Sequence, residues 1–385
     1  MQRVRYLDLY RYLTVSFAIA SHAILSVGLI LELDADTGLY LKSLTRSATP
    51  SLIVLFGMMI EIVYARKWDT SKAETLGALW HRVLLCYLCL VGLAFVEFSV
   101  TDAQWTHLIG SVGLVRGVWN GTIFKLYMFL LALVPVFLAI RHRFGAIGLA
   151  MFAIALFVFH AIALDSLPVL PRVVAHLGGL LFGIGDTFGP SVIHASALIV
   201  FGMLLGSIVT GRASRSAKAI FAVMLSLSVA IWVYYIIAEG FHVSIGNVAE
   251  YRQWRAQNHP AYFAFGMMAS IVILVLSFVV TKVAPRGLVR IPEAVGGATL
   301  IYFFIGNVLI GFGSLLKWAT IGEMVAVIAS YVVLSTVAVQ LWIRHAKPAR
   351  MVVGFNGASV RILTSAWGLS GHYAKGVARK AASSF

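Results

Sequence analysis

Apolar runs of membrane-crossing length recur along this chain from its first residues to beyond residue 340, separated only by short polar gaps. A hydrocarbon core about 30 Å thick asks for about 20 apolar residues per helical crossing, and each run is near that length. No gap is long enough to house a separate globular domain. With 60% hydrophobic and 12% charged side chains in 385 residues, the composition excludes an ordinary soluble protein. The expected fold class is all-α: a polytopic membrane helix bundle of about ten transmembrane helices, with both termini cytoplasmic. Residues 1–343 form the membrane domain and 344–385 a basic tail.

Ten spans are expected near 8–31, 48–64, 79–99, 121–140, 144–164, 191–210, 218–238, 261–281, 294–315 and 320–343. The basic start and first apolar run resemble a signal peptide, and Ser21-His22-Ala23 loosely fits a cleavage site. Apolar sequence continues past that point, and Asp8 and Arg11 are out of place in a signal core, so cleavage is not expected. Arg3, Arg5, Arg66, Lys67, Lys72, Arg82, Arg141, Arg143, Arg212, Arg215, Lys218, Lys282, Arg286 and Arg290 all fall on one side, with the tail. By the positive-inside rule that side is the cytoplasm. Glu32, Asp34, Asp36, Asp102, Asp165, Asp186 and Glu250 collect on the other.

The net charge of +15 is therefore a topology signal and does not point to nucleic acid. In the tail, Val360, Leu363, Trp367 and Val377 alternate with basic residues, either as an amphipathic helix on anionic lipid or as a disordered basic segment. Cys86 and Cys89 lack a second pair or a histidine cluster, so helix packing is expected and no metal site. The outer loops 165–190 and 239–260 are long enough either to hold an external substrate or to pack at the interface. Asn120-Gly121-Thr122 fits a glycosylation sequon.

Charged side chains inside spans cost several kcal/mol unless partnered or wetted. Lys125 is expected to snorkel from a span end, and Glu61 to pair with Arg66 or Lys67. Glu97, Glu239 and Glu323 lie toward outer ends, where they line a cavity or meet water. His22 is different: about 20 Å beyond Asp8 along a helix, it is past the bilayer centre. It shares a face with Arg11, because an eleven-residue step returns to within roughly 20° after about 16 Å. Arg11 with Arg5, His81 and Arg82 makes an inner basic cluster suited to phosphate.

Arg11 and His22 reproduce the arginine, ten residues, histidine motif of the acyltransferase family 3 membrane proteins, whose members include glucan succinyltransferases. Arg3-Val4-Arg5-Tyr6-Leu7-Asp8-Leu9-Tyr10-Arg11 resembles the family's opening, Ala48-Thr49-Pro50 running to Phe56-Gly57 its second helix, and Leu79-Trp80-His81-Arg82 the basic start of its third. The specific motifs lie in roughly the first 90 residues. Two departures stand out. Leu79 replaces the first of a paired arginine, so only Arg82 carries over, with His81 beside it. Late in the chain, where relatives read to a second histidine, Thr299-Leu300-Ile301-Tyr302-Phe303-Phe304-Ile305-Gly306-Asn307 ends in asparagine.

The resemblance implies an integral O-acyltransferase of the cytoplasmic (inner) membrane. It would move an acetyl or succinyl group from cytoplasmic acyl-CoA to a hydroxyl of an extracytoplasmic glycan or lipid-linked sugar. Arg11, Arg82, His81 and Arg5 would bind the donor, His22 would act as base, and Glu97 or Glu239 would orient the acceptor. Membrane lipid is a partner, and homo-oligomers are compatible with this reading. Two other classes stay open. One is a transporter or flippase using buried histidine and acids; the other is a non-catalytic subunit of a glycan-assembly complex.

Overall fold

The structure, a computed structural model, describes residues 4–164, 171–184, 189–346 and 350–365. Arg3, Asp165, Pro168, Gly185, Asp186, Trp367, Val377 and the rest of the tail beyond residue 365 lie outside them. Every described element is helical. The principal helices are α1 (Arg5–Ser26), α2 (Ala35–Arg46), α3 (Ala48–Met59), α4 (Lys72–Val100), α5 (Trp105–Val112), α6 (Thr122–Phe159), α7 (Arg172–Phe182), α8 (Val192–Val209), α9 (Arg215–Glu239), α10 (Phe241–Ala249), α11 (Pro260–Val283), α12 (Arg286–Gly296), α13 (Thr299–Gly313), α14 (Ile321–Leu341) and α15 (Arg350–Ser365).

The helices begin where the sequence supplies caps, since first-turn amides have no partner inside the helix. Asp34 accepts from Thr37 N at 2.9 Å to start α2, and Ser214 accepts from Ala217 N at 3.1 Å to start α9. Thr320 and Glu323 form a reciprocal capping box on α14, which gives Glu323 a local structural role.

Among the described residues, seven helices are long and apolar enough to cross a membrane, or up to eight if a bent pair counts as one span. That pair is α12 and α13, which meet at 87°. The sequence expectation of ten differs in identifiable places. Helix α1 is outside the seven because Arg11, Ser16, Ser21 and His22 dilute its apolar character. The spans expected at 121–140 and 144–164 are the single element α6, interrupted at Gly145 (φ 67°, ψ −152°), a backbone region almost confined to glycine. Phe137 and Phe152 would be about 22 Å apart on a continuous helix, yet their rings meet edge to face at 5.6 Å. The chain therefore folds back at Gly145 into two antiparallel arms.

Helix α1 is the hub, in contact with α2, α3, α11, α12, α13 and α14. Contacts with α13 climb together along both chains (Ser16 with Tyr302, His22 with Asn307), so the two run parallel. Gly306 lets them approach, since a Cβ there would strike Ile19. Gly311 and Gly313 likewise admit Val96 and Tyr331, so these glycines serve packing within a continuous helix. Helices α3 and α8 touch backbone to backbone: a Cβ on Gly57 or Gly202 would collide with the Ile199 or Val54 carbonyl, the small-residue contact that membrane helices favour.

Two expected partners change. Lys125 is fully buried and donates to the carbonyls of Leu114 (3.0 Å) and Arg116 (2.5 Å), so it ties down the loop before α6 and does not snorkel. Glu61 takes a two-point bond from Arg141 at 3.1 and 3.2 Å; that arginine is brought in by α6 from far along the chain. The described part of the tail, α15, packs on α4, with Val360 buried and Thr364 against Gly77. Cys86 and Cys89 are buried free thiols.

Candidate functional site

Each of the residues expected to gather at the inner end has contacts of its own. Arg5 forms an ion pair with Glu293 of α12 at 2.9 Å. Arg11 pairs with Asp8 one turn earlier, at 2.9 Å, on the buried side of α1. His81 is 1% exposed and its Nδ1 meets the Ser359 hydroxyl of α15 at 2.8 Å. Arg82, next in sequence, is exposed. Four basic groups that look like one cluster in sequence are thus each engaged in a different setting.

Glu97 and Glu239 sit toward the ends of their helices, as expected, but in loop networks. The Glu97 carboxylate holds His107 of α5 (3.2 Å) and the Trp119 amide (2.9 Å), joining α4, α5 and the following loop. It lines an open cleft of about 430 Å³ with Asp102, His107 and Arg116. Glu239 is exposed and accepts from the Asn247 side chain at 3.0 Å. None of these contacts reaches His22.

Around His22 the structure does assemble a polar site. Its Nδ1 lies 2.6 Å from Asn307 Oδ1, and its ring meets Phe303 edge to face at 5.7 Å. Asn307 is 3% exposed and donates through Nδ2 to the Phe303 carbonyl at 2.8 Å. That second bond fixes the amide orientation and turns Oδ1, a pure acceptor, toward the ring. Nδ1 must then carry the proton, which leaves Nε2 of the neutral ring with its lone pair exposed.

Arg46, in the last turn of α2, and Arg255, before α11, lie within electrostatic range of both His22 and the Tyr262 hydroxyl. The Nε atoms of both arginines are shielded from solvent. Gly189 lies against the Arg255 guanidinium, where a Cβ would come within 3.1 Å. Tyr262 is fully buried, and its hydroxyl has no hydrogen-bond partner among the described residues. A base, two cations and an idle hydroxyl donor are a set able to deprotonate an alcohol and steady a developing oxyanion.

Sequence reasoning reached Asn307 only as a departure from a pattern and missed Arg46, Arg255 and Tyr262. A signal did exist for the arginines. Lys42, Arg46, Arg116 and Arg255 lie on the side that the positive-inside pattern leaves acidic, so topology does not account for them. Nearby, His259 stacks on Trp254 (5.2 Å between centroids), accepts from Ala261 N through Nδ1 at 3.3 Å, and contacts the Tyr235 hydroxyl at 3.1 Å. It caps α11. No group of three or more His, Cys, Asp or Glu residues able to hold a metal occurs among the described residues.

The chain is thus an all-helical bundle of membrane character with a histidine–asparagine pair at its hub; no protein-family model matches it, and no curated protein does.

Proposed function

We propose that this chain is a ten-pass O-acyltransferase of the cytoplasmic membrane, with both termini inside, in which His22 is the general base. The ten crossings are α1, the extended α2–α3, α4, the two arms of α6, α8, α9, α11, the bent α12–α13 pair and α14. On this reading His22 Nε2 takes the proton of an acceptor hydroxyl on a glycan or lipid-linked sugar. The oxygen attacks the thioester carbonyl of acetyl-CoA or succinyl-CoA, the C–S bond breaks, and the thiolate leaves to be protonated. Tyr262, with Arg46 and Arg255, steadies the oxyanion. Arg11, Arg82, Arg5 and His81 lie along the donor's path, where a phosphate would compete with Asp8 and Glu293 for the arginines.

The His22–Asn307–Phe303 chain supports this most directly, because it holds the imidazole in the one neutral tautomer whose Nε2 accepts a proton. Purified protein in nanodiscs, given radiolabelled acetyl-CoA or succinyl-CoA and a membrane glycan fraction, should transfer label to the glycan. Absence of both donor binding and transfer would sink the proposal.

The 87° bend between α12 and α13 favours a second reading, a flippase or transporter, since broken helices flank many carrier sites. Substrate movement across proteoliposomes without acyl transfer would select it.

A further inference from the structure

At the end of the bundle where arginine and lysine collect, α3 continues through a π-helical turn, Ile60–Ala65, to Trp68. There it meets the first arm of α6 and the residues after α8 around a cavity of about 320 Å³. Glu61, Asp69, Arg66, Arg141, His142 and Arg212 line it. Both carboxylates contact basic side chains, the Asp69–His142 contact at the exposed rim, where it neutralises Asp69 only when His142 is protonated. Glu61 is held by Arg141 at two points, and Asp69 by His142 at 2.7 Å. The side chains of Arg66 and Arg212 have no hydrogen bond or ion pair with any described residue.

Arg66 and Arg212, both exposed to solvent, bring two guanidinium groups without described partners from segments distant in sequence to one cavity, where a bound anion is attracted by both. Guanidinium forks match phosphate oxygens two at a time. The volume is at the small end of ligand pockets, enough for a phosphate or pyrophosphate group. Trp68, buried at the same rim, is the residue type that marks the headgroup level of a bilayer.

We propose that this cavity is a binding site for a phosphate-bearing ligand, held by Arg66 and Arg212, with the Glu61–Arg141 pair as its rigid floor. The ligand is either the headgroup of an anionic phospholipid or a soluble phosphate compound. The site shares no residue with the His22 pocket, and it stands whether or not the chain transfers acyl groups.

Full-length protein would be titrated with inorganic pyrophosphate by calorimetry. In parallel, lipid retention would be read by native mass spectrometry from nanodiscs of phosphatidylcholine with phosphatidylglycerol. Binding in either arm should weaken by about tenfold or more in Arg66→Gln and in Arg212→Gln, as expected for loss of charge-assisted hydrogen bonds. It should be largely kept in Arg66→Lys and Arg212→Lys. Lys67→Gln and Arg143→Gln remove the same charge from neighbours that do not line the cavity and should change it by less than about twofold, because surface charges outside contact distance are screened. The arm that binds identifies the source of the phosphate. Failure of both probes to bind, or equal weakening in the Lys67 and Arg143 variants, overturns the proposal.

Discussion

Helices α1 and α9 are similar in length and opposite in character. Helix α1 carries Asp8, Arg11, Ser16, Ser21 and His22 and packs against six of the other principal helices. Helix α9 is apolar enough to qualify easily as a span, yet only 6% of its most apolar window is buried; Ile237 is 79% exposed. In water the apolar helix would be the core and the polar one the surface. In lipid, apolar side chains gain nothing by leaving the surface, while polar groups must find partners inside. The helix that fails a test for membrane spans is therefore the one that organises this bundle.

The contrast is sharpest in activity. His22→Ala should lower acyl transfer by about 10²–10⁴-fold, the usual worth of a general base, with an unchanged elution profile in detergent. Replacing Ile237 with valine on α9 should leave transfer unaltered. Near-normal activity in His22→Ala would remove the functional half of the comparison.

Stability should depend on inward polar groups as well. Lys125→Met deletes two charge-assisted bonds and leaves the Leu114 and Arg116 carbonyls without them, at about 1.5–3 kcal/mol each. A melting temperature lower by several degrees and faster proteolysis of loop 113–121 are expected. Ile237→Val, by contrast, should stay within about 0.5 kcal/mol of the parent protein.

A smaller effect is expected from Asn307→Ala, which leaves the base in place but releases its tautomer. The loss of one hydrogen bond, about 1 kcal/mol, corresponds to about fivefold to tenfold in transfer. It should appear in the turnover number more than in KM for the donor. An effect as large as that of His22→Ala would make Asn307 more than a positioning residue.

The smallest effect is expected at the cap of α11. Burial lowers the His259 pKa below the ordinary imidazole value, with Glu239 opposing. A base with a depressed folded pKa contributes stability above its unfolded pKa and loses it as pH falls through the folded one. Protonated Nδ1 can no longer accept from Ala261, so residues 250–260 should exchange amide hydrogens faster below the usual histidine range. His259→Asn keeps a capping acceptor and should abolish that pH dependence. Persistence of the dependence in the variant would assign it to another group.

Much of the fold was legible because lipid imposes a length and a composition on every crossing. The hairpin at Gly145 was visible as two runs with a short gap. Even the Asp8–Arg11 pair obeys the spacing at which helix side chains meet. Partners supplied from afar were not legible. Nothing near Glu61 announces Arg141, and nothing near His22 announces Arg46, Arg255 or Tyr262, because these meet only after α2, α11 and α13 pack on α1. The inner cluster shows the same point in reverse. Arg5, Arg11, His81 and Arg82 share a level in sequence, but Glu293 and Ser359 arrive from late helices to claim two of them.

The place of α1 also sets an order of events during synthesis. It is made before the helices it packs against, and four of the six principal ones, α11 to α14, follow it by more than 200 residues. While ribosomes complete α4 to α9, its polar face has to persist in the membrane without α11 to α14. The ion pair between Asp8 and Arg11 is internal to the helix and forms with its first turns, so α1 can be neutral at that level before any partner is translated. His22 has no such local companion and waits for Asn307, which places completion of the site after the synthesis of α13.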